Sequence, residues 1–216
     1  VSGLSFLLIA FLSPLLSGIA DYIGNKKIFM KFFVYMGSLS CIGLYWFELE
    51  TIEISLLFYV LALIGFWGSL VYYNSYLTDI TYPKQTNSVS ARGYVMGYIG
   101  SVILLLLNLI MINYYESFGF TSEINAMKSS FAIVGLWWLG FSQYSFYHLP
   151  RGNKGVKIPK NIIWNGFKEL NNVYKIIRSS KRFTRFLLAF FIFSFSLQTV
   201  LYIASYFGVS EIEWSS

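Results

Sequence analysis

The side chains that could contact a small molecule in this sequence are amides and aromatic rings within long apolar runs. Asn74 and Gln198 each interrupt such a run. A buried amide is costly unless it is hydrogen-bonded, so each predicts either a bond to a neighbouring segment or a contact with a solute. Trp67, Tyr72 and Tyr73 precede Asn74 and could line the same cavity, although packing is the alternative in a chain that is 20% aromatic. Our hypothesis is a substrate-binding set of Asn74, Gln198, Trp67 and Tyr73.

The groups that usually carry catalysis are scarce. The chain has one His and one Cys, no clustered carboxylates and no phosphate-binding glycine loop. His148 stands beside Pro150 at the end of an apolar run, where it is a boundary residue or, alternatively, a proton relay. We therefore predict no enzyme, no catalytic residue, no metal and no cofactor.

Composition places these residues in membrane-spanning elements. Of the 216 residues, 56% are hydrophobic and only 12% are charged, whereas a soluble domain carries about 25% charged residues. Five runs lack charge, and a sixth is interrupted by Lys31 alone. Each is long enough to cross a bilayer, which takes about 20 apolar residues per helix. The predicted spans are 1–20, 28–47, 54–78, 93–112, 129–149 and 186–210. The sequence thus predicts an all-α, polytopic transmembrane helical bundle.

The loops between the runs differ in charge. They form a basic set at 21–31, 79–92 and 151–185 and an acidic set at 48–53, 113–128 and 211–216. The basic set holds 15 of the 16 Lys and Arg residues, and the acidic set holds seven of the ten acidic residues. Cytoplasmic loops carry the Lys/Arg excess, so we predict that the basic set is cytoplasmic. The net charge of +6 then reflects topology, and we expect no nucleic-acid partner.

This orientation places residue 1 at the outer face, which predicts one preceding helix. The chain would then be a fragment containing about helices two to seven of twelve. Residues 1–149 would be the remainder of a first six-helix half, 150–185 a cytoplasmic basic link, and 186–216 the first helix of a second half and the start of an outer loop. Two linked halves of this kind are the plan of the major facilitator transporters.

A charged turn separates the first two spans. Asp21 ends one helix, where a carboxylate opposes the helix dipole, and Gly24 can adopt the backbone of a tight reversal. Lys26 and Lys27 follow and face anionic headgroups. Asp79 and Arg92 also oppose their helix dipoles. We predict a cytoplasmic gate that joins Asp21, Asp79 and Arg92 in one ion-pair network; separately solvated charges are the alternative. The predicted gate residues are Asp21, Gly24, Lys26, Lys27, Asp79 and Arg92.

The segment "SGIADYIGNKK" resembles the major facilitator signature between helices two and three. Together with "GFWGSLVYYNSYLTDI", "SVSARGYVMGYIGSVILLLLNL" and "FLLAFFIFSFSLQTVLYIASYFG", it is similar to the unknown major facilitator branch, which itself is similar to the vacuolar amino-acid effluxers of autophagy. The resemblance covers nearly the whole chain. It departs at Ser194–Gln198, where family members often carry Asp-Gly before Gln-Thr. It implies transport, with amino acids or similar solutes as substrates.

Small residues predict where helices pack. Gly93, Gly97 and Ser101 recur every four residues, which favours close helix packing or a sliding surface. For the amides Asn108 and Gln143, interhelical hydrogen bonding is the main expectation.

Within the link, apolar residues recur at helical spacing while basic residues occupy other faces. The apolar set is Ile163, Phe167, Leu170, Tyr174 and Ile177, and the basic set is Lys168, Lys175 and Arg178. This pattern predicts an amphipathic helix on the inner membrane surface.

The leading hypothesis is a secondary transporter that moves a small solute, with amino-acid efflux as the candidate activity, by alternating access. A non-transporting receptor or assembly subunit on a transporter scaffold is the alternative, followed by a membrane-embedded lipid enzyme. The expected partners are the solute, the lipid bilayer and protons acting through helices outside this chain. The expected location is a bacterial cytoplasmic (inner) membrane.

Overall fold

The computed structural model describes residues 12–13, 15–16, 18, 25–150 and 162–210, and every regular element in those ranges is helical. The α-helices are α1 (Lys26–Gly43), α2 (Ile52–Ser75), α3 (Leu77–Ile80), α4 (Thr86–Asn113), α5 (Glu123–His148), α6 (Ile162–Ser179) and α7 (Lys181–Ser210). Two 3-10 turns, Leu44–Trp46 and Leu49–Thr51, connect α1 to α2. The predicted all-α class is confirmed.

Three helical segments of the described residues are long and apolar enough to cross a membrane. They are Lys26–Trp46, Leu49–Ile80 and Thr86–Asn113. Each contains most of a predicted span. Helices α5 and α7 overlap the predicted spans 129–149 and 186–210, while the predicted span 1–20 lies almost entirely outside the described residues. The chain divides into two compact units, residues 1–167 and 168–216.

Helix α1 is the centre of the first unit, because it packs on α2 along one side and on α5 along another. Met30, Phe33, Val34, Gly37 and Ser38 are buried. Their spacing of three and four residues places them along one face of the helix, as expected for a helix that buries one side.

The approach of α1 to its neighbours depends on glycine. A methyl group on Gly65 of α2 would overlap the Cα of Gly37 and lie 2.7 Å from the carbonyl oxygen of Phe33. A methyl group on Gly135 of α5 would lie 2.6 Å from the carbonyl oxygen of Ser38. Backbone-to-backbone contact of this kind is possible only where side chains are missing, so these glycines fix both helix crossings.

An aromatic cluster closes one end of the α1–α2 contact. The ring of Tyr72 stacks against Phe29, with centroids 5.7 Å apart, and against Phe33, at 5.9 Å. Tyr72 is fully buried, and its hydroxyl donates a hydrogen bond to the carbonyl oxygen of Leu16 at 3.0 Å. This bond satisfies the phenol group inside the apolar cluster.

The ends of α5 follow from the local sequence. Ser122 caps the helix, since its hydroxyl oxygen accepts a hydrogen bond from the backbone N–H of Asn125 at 3.3 Å. Gly119, in the preceding turn, has a φ of 83°, a left-handed conformation that favours glycine. Pro150 follows the helix and cannot continue it.

Candidate functional site

Three of the four predicted substrate-binding residues lie on α2. Asn74 is exposed, Tyr73 is 50% exposed and Trp67 is partly buried. Trp67 and Asn74 are seven residues apart, which places them nearly in line along one face of the helix. The structure thus presents an amide and a phenol at the C-terminal end of α2, where both are open to the surroundings.

Gln198, the fourth predicted residue, lies on α7 in the second unit. Its side chain falls outside the part of the chain that the structure describes. Its contact with a solute stays a prediction.

The predicted packing stripe on α4 meets α2 at Gly93. A methyl group there would lie 2.9 Å from the hydroxyl oxygen of Tyr73, so the glycine leaves room for the phenol. By contrast, a methyl group on Gly97 would meet no described atom within 4 Å. Ser101 is exposed and donates to the carbonyl oxygen of Tyr98 in its own helix at 2.9 Å. Of the two glycines in the stripe, only Gly93 therefore lies against another helix of the described chain.

Two lysines of the predicted gate join the N-terminus of α1 to the C-terminal ends of its neighbours. The Lys26 ammonium lies 3.1 Å from a carboxylate oxygen of Asp79 and donates to the carbonyl oxygen of Ser75, the last residue of α2, at 3.2 Å. The Lys27 ammonium donates to the carbonyl oxygen of Leu149, just after α5, at 2.7 Å. Cations stabilise helix C-termini, where backbone carbonyls lack partners.

The gate therefore differs from the expected network. Asp79 pairs with Lys26, and Arg92 forms no ion pair with Asp79 in the described structure. Lys26, at the start of α1, reaches both the Asp79 carboxylate and the Ser75 carbonyl, whereas Arg92, one loop further along, pairs with neither in the described structure. Asp21 and Gly24 lie outside the described residues, so their part in the gate stays a prediction.

Of the remaining polar residues, Gln143 binds across a helix interface. Its side-chain carbonyl oxygen accepts a hydrogen bond from the Tyr35 hydroxyl at 3.1 Å, which links α5 to α1. Asn108 on α4 differs, because its side-chain carbonyl oxygen is buried and has no hydrogen-bond partner among the described atoms. His148 makes a local contact, with Nδ1 2.9 Å from the carbonyl oxygen of Tyr144 in the same helix.

The residues that fix the helix crossings are only weakly indicated by the sequence. Gly37, Gly65 and Gly135 each sit in a different predicted span, so no single-helix stripe marks them. Glycine inside an apolar span is the usable signal, because it is costly there unless a backbone approaches closely.

The apolar helices, the glycine crossings and the charged helix ends define a multi-pass integral membrane protein. The chain belongs to the family described as vacuole effluxer Atg22 like, which it matches over residues 1–216. This match confirms the predicted similarity to the vacuolar effluxers.

A curated relative supports the same placement. The chain is 34% identical over 207 residues to the uncharacterized MFS-type transporter YxiO of Bacillus subtilis (strain 168), a match that covers 95% of this chain and 48% of the relative. The chain thus spans about half the length of the curated relative it matches. No solved structure matches it. The chain is accordingly of the major facilitator type, as the sequence predicted.

Proposed function

We propose that this chain forms part of a secondary transporter that moves a small solute, with amino acids as the first candidates, by alternating access. The family and the major facilitator relative support transport. The observation that carries the proposal is the open end of α2, where Asn74 and Tyr73 are exposed and the Tyr73 hydroxyl lies beside Gly93.

In this proposal Asn74 contacts the solute through hydrogen bonds, with Tyr73 and Trp67 of the same helix as further contacts, and Gln198 is proposed separately as a hydrogen-bonding contact. An amide offers both a donor and an acceptor, so it suits a solute that carries polar groups of both kinds. Because amides do not titrate, Asn74 and Gln198 cannot couple transport to an energy source by carrying protons. We propose that protons are the coupling ion and that other groups carry them.

The charged end of the bundle is the proposed gate. The Lys26–Asp79 pair joins α1 to the segment that follows α2, and Asp79 is exposed. Exposed ion pairs contribute about 0–1 kcal/mol, so such a pair can form and break as the helices move between two states. Gly93 beside Tyr73 would let α4 move against α2 without a steric barrier.

The test is transport of labelled amino acids by the full-length protein in reconstituted vesicles. Asn74→Ala should raise the solute KM about tenfold, since one hydrogen bond to a charged solute group is worth about 1.5–3 kcal/mol. The pH dependence of transport should be unchanged. Asn113→Ala is the matched control, because that amide donates to the carbonyl oxygen of Leu109 in its own helix at 3.0 Å.

Equal KM values for Asn74→Ala and the wild type would remove Asn74 from the proposed site. Absence of transport for every amino acid tested, with the protein folded, would contradict the substrate class. Loss of pH dependence in Asn74→Ala would show that this region takes part in coupling.

A further inference from the structure

A small cavity lies at the end of the bundle opposite Lys26 and Lys27. Its volume is about 190 Å³, and its lining residues are Tyr45, Trp46, Glu48, Asn125 and Lys128. The first three come from the connection between α1 and α2, and the last two from the start of α5. The proposed solute contact at Asn74 is near the other end of α2, so this cavity is separate from it.

Two opposite charges face one another in this cavity. The Lys128 ammonium lies 3.6 Å from a carboxylate oxygen of Glu48, which is longer than the roughly 2.7–2.9 Å of a charge-assisted hydrogen bond. The Lys128 side chain is 23% exposed, whereas that of Glu48 is 61% exposed. Both groups therefore retain hydrogen-bonding capacity: the ammonium can donate to an anion and the carboxylate can accept from a cation.

Aromatic rings stand beside the carboxylate. Tyr45 and Trp46 meet edge to face, with centroids 5.4 Å apart and planes at 87°. Trp46 is 67% exposed, so its ring is open to a ligand. A cation over a tryptophan or tyrosine face is attracted by the ring's negative face. The Glu48 side of the cavity thus suits an ammonium group.

The opposite side of the cavity is held in place. The Asn125 side-chain amide donates to the hydroxyl oxygen of Thr121 at 2.7 Å, and the Asn125 backbone N–H donates to Ser122. These bonds fix the start of α5, and Lys128 extends from its second turn towards Glu48. A ligand's anionic group would meet the ammonium there without reordering the helix.

We propose that this cavity binds a zwitterion that carries a primary ammonium and an anionic group a few atoms apart. The ammonium contacts Glu48 and the rings, and the anionic group contacts Lys128. The cavity is smaller than the roughly 300–1,000 Å³ of drug-sized sites, which fits a ligand of a few heavy atoms. A phosphoethanolamine lipid headgroup and a free amino acid share this chemistry. The lipid source is consistent with the place of the cavity at the end of a membrane-crossing segment.

The experiment uses the full-length protein in detergent and measures the thermal unfolding midpoint during four titrations. The probes are short-chain phosphatidylethanolamine, phosphatidylcholine, phosphatidylglycerol and glycine. A bound ligand stabilises the folded state in a saturable way, which gives its Kd. We expect phosphatidylethanolamine or glycine to raise the midpoint. Phosphatidylglycerol has no cation, so it should have little effect. Phosphatidylcholine keeps a cation that the rings attract but has no N–H to donate to Glu48, so its effect should be smaller than that of phosphatidylethanolamine.

Variants test the assignment of each charge. Glu48→Gln and Lys128→Gln should each weaken the Kd about tenfold, because each removes one charge-assisted contact. Glu50→Gln is the matched control, since this acidic residue is exposed two positions away and does not line the cavity. Its Kd should equal that of the wild type.

A response to phosphatidylethanolamine alone identifies the lipid headgroup as the ligand, a response to glycine alone identifies a soluble zwitterion, and a response to both shows that the site takes either. The proposal is overturned if neither probe shifts the midpoint, if phosphatidylglycerol acts as strongly, or if Glu48→Gln leaves the Kd unchanged. Glycine is also a candidate solute at Asn74, so a glycine response counts for this cavity only if Glu48→Gln weakens it; transport through Asn74 is measured separately.

Discussion

Individual glycines differ in how much they matter for helix packing, and the atoms around each glycine decide how much. At Gly65 a methyl group would meet the backbone of α1, lying 2.6 Å from the amide nitrogen of Gly37. Backbone atoms in a helix cannot rotate away as a flexible side chain can, so the two helices would have to separate. At Gly97 the same methyl group would meet no described atom within 4 Å.

The first residue-scale prediction follows from this contrast. Gly65→Ala should lower the free energy of unfolding by about 1–3 kcal/mol, the usual range for overpacking. Gly97→Ala should be neutral or stabilising by up to about 1 kcal/mol, because alanine favours the helix. Thermal unfolding of the purified full-length protein in detergent measures both. Equal midpoints for the two variants would show that the Gly37–Gly65 crossing does not limit stability.

At the same scale, the sequence predicted some polar contacts and missed others. Interhelical hydrogen bonding, the main expectation for Gln143, is confirmed by its bond to Tyr35. That partner could not be predicted, because it depends on the crossing of α1 and α5, which Gly135 sets. Periodicity along one helix shows which residues share a face, but the residues opposite that face belong to another segment.

Among the elements, α1 begins with basic residues that reach neighbouring helices. Lys26 and Lys27 stand at its N-terminus, where positive charge opposes the helix dipole. Their ammonium groups reach instead the C-terminal ends of α2 and α5, which run antiparallel to α1. The carbonyl oxygens of Ser75 and Leu149 are thereby stabilised by cations from one neighbouring helix. The charged turn that interrupts the apolar sequence thus connects three helices.

This role predicts the effect of removing each lysine. Lys27→Met should lower the free energy of unfolding by about 1–3 kcal/mol, since it removes a charged hydrogen bond to a helix-end carbonyl. Lys84→Met is the matched control, because Lys84 is exposed in the connection between α3 and α4, and it should change stability by no more than about 0.5 kcal/mol. The idea fails if chemical denaturation finds the two variants equally stable.

The Lys26–Asp79 pair permits a separate measurement. Lys26→Met should cost more stability than Asp79→Asn, because Lys26 also donates to the Ser75 carbonyl. The coupling energy in a double-mutant cycle should stay below about 1 kcal/mol, since Asp79 is exposed. A coupling of several kcal/mol would instead indicate that the pair is shielded from solvent and does not open readily.

The sequence indicated the elements far better than their pairing. The predicted spans 54–78 and 93–112 fall within α2–α3 and α4, because long apolar runs leave the helix as the only backbone that satisfies its own polar groups. The expected Asp79–Arg92 contact did not appear. Choosing between Lys26 and Arg92 as the partner of Asp79 requires the positions of three helix ends, and charge sign alone does not supply them.

Across the whole molecule, the first unit has two chemically different ends. Lys26, Lys27 and Asp79 meet at one end, and Glu48 pairs with Lys128 at the other. Helix α1, whose segment is long and apolar enough to cross a membrane, lies between them, so we expect the two ion pairs on opposite sides of the bilayer. The Lys/Arg excess then predicts that the Lys26 end is cytoplasmic.

The last prediction tests that orientation with single cysteines in the full-length protein. Cys41 is first replaced by Ser, which removes the native thiol of α1. Thr51→Cys and Ser117→Cys, exposed at the Glu48 end, should react with a membrane-impermeant thiol reagent added to intact cells, whereas Lys84→Cys, exposed at the opposite end, should react only after permeabilisation. Ser117 is preferable to its neighbour Gly119, whose φ of 83° would strain a cysteine. If only Lys84→Cys were labelled in intact cells, the orientation would be the reverse of the predicted one. The Lys/Arg-rich loops would then lie outside the cell, against the charge rule used to predict the topology. This reversal would also move the zwitterion site to the cytoplasmic leaflet and the proposed gate to the outer face, while leaving the glycine crossings and helix-end contacts unchanged.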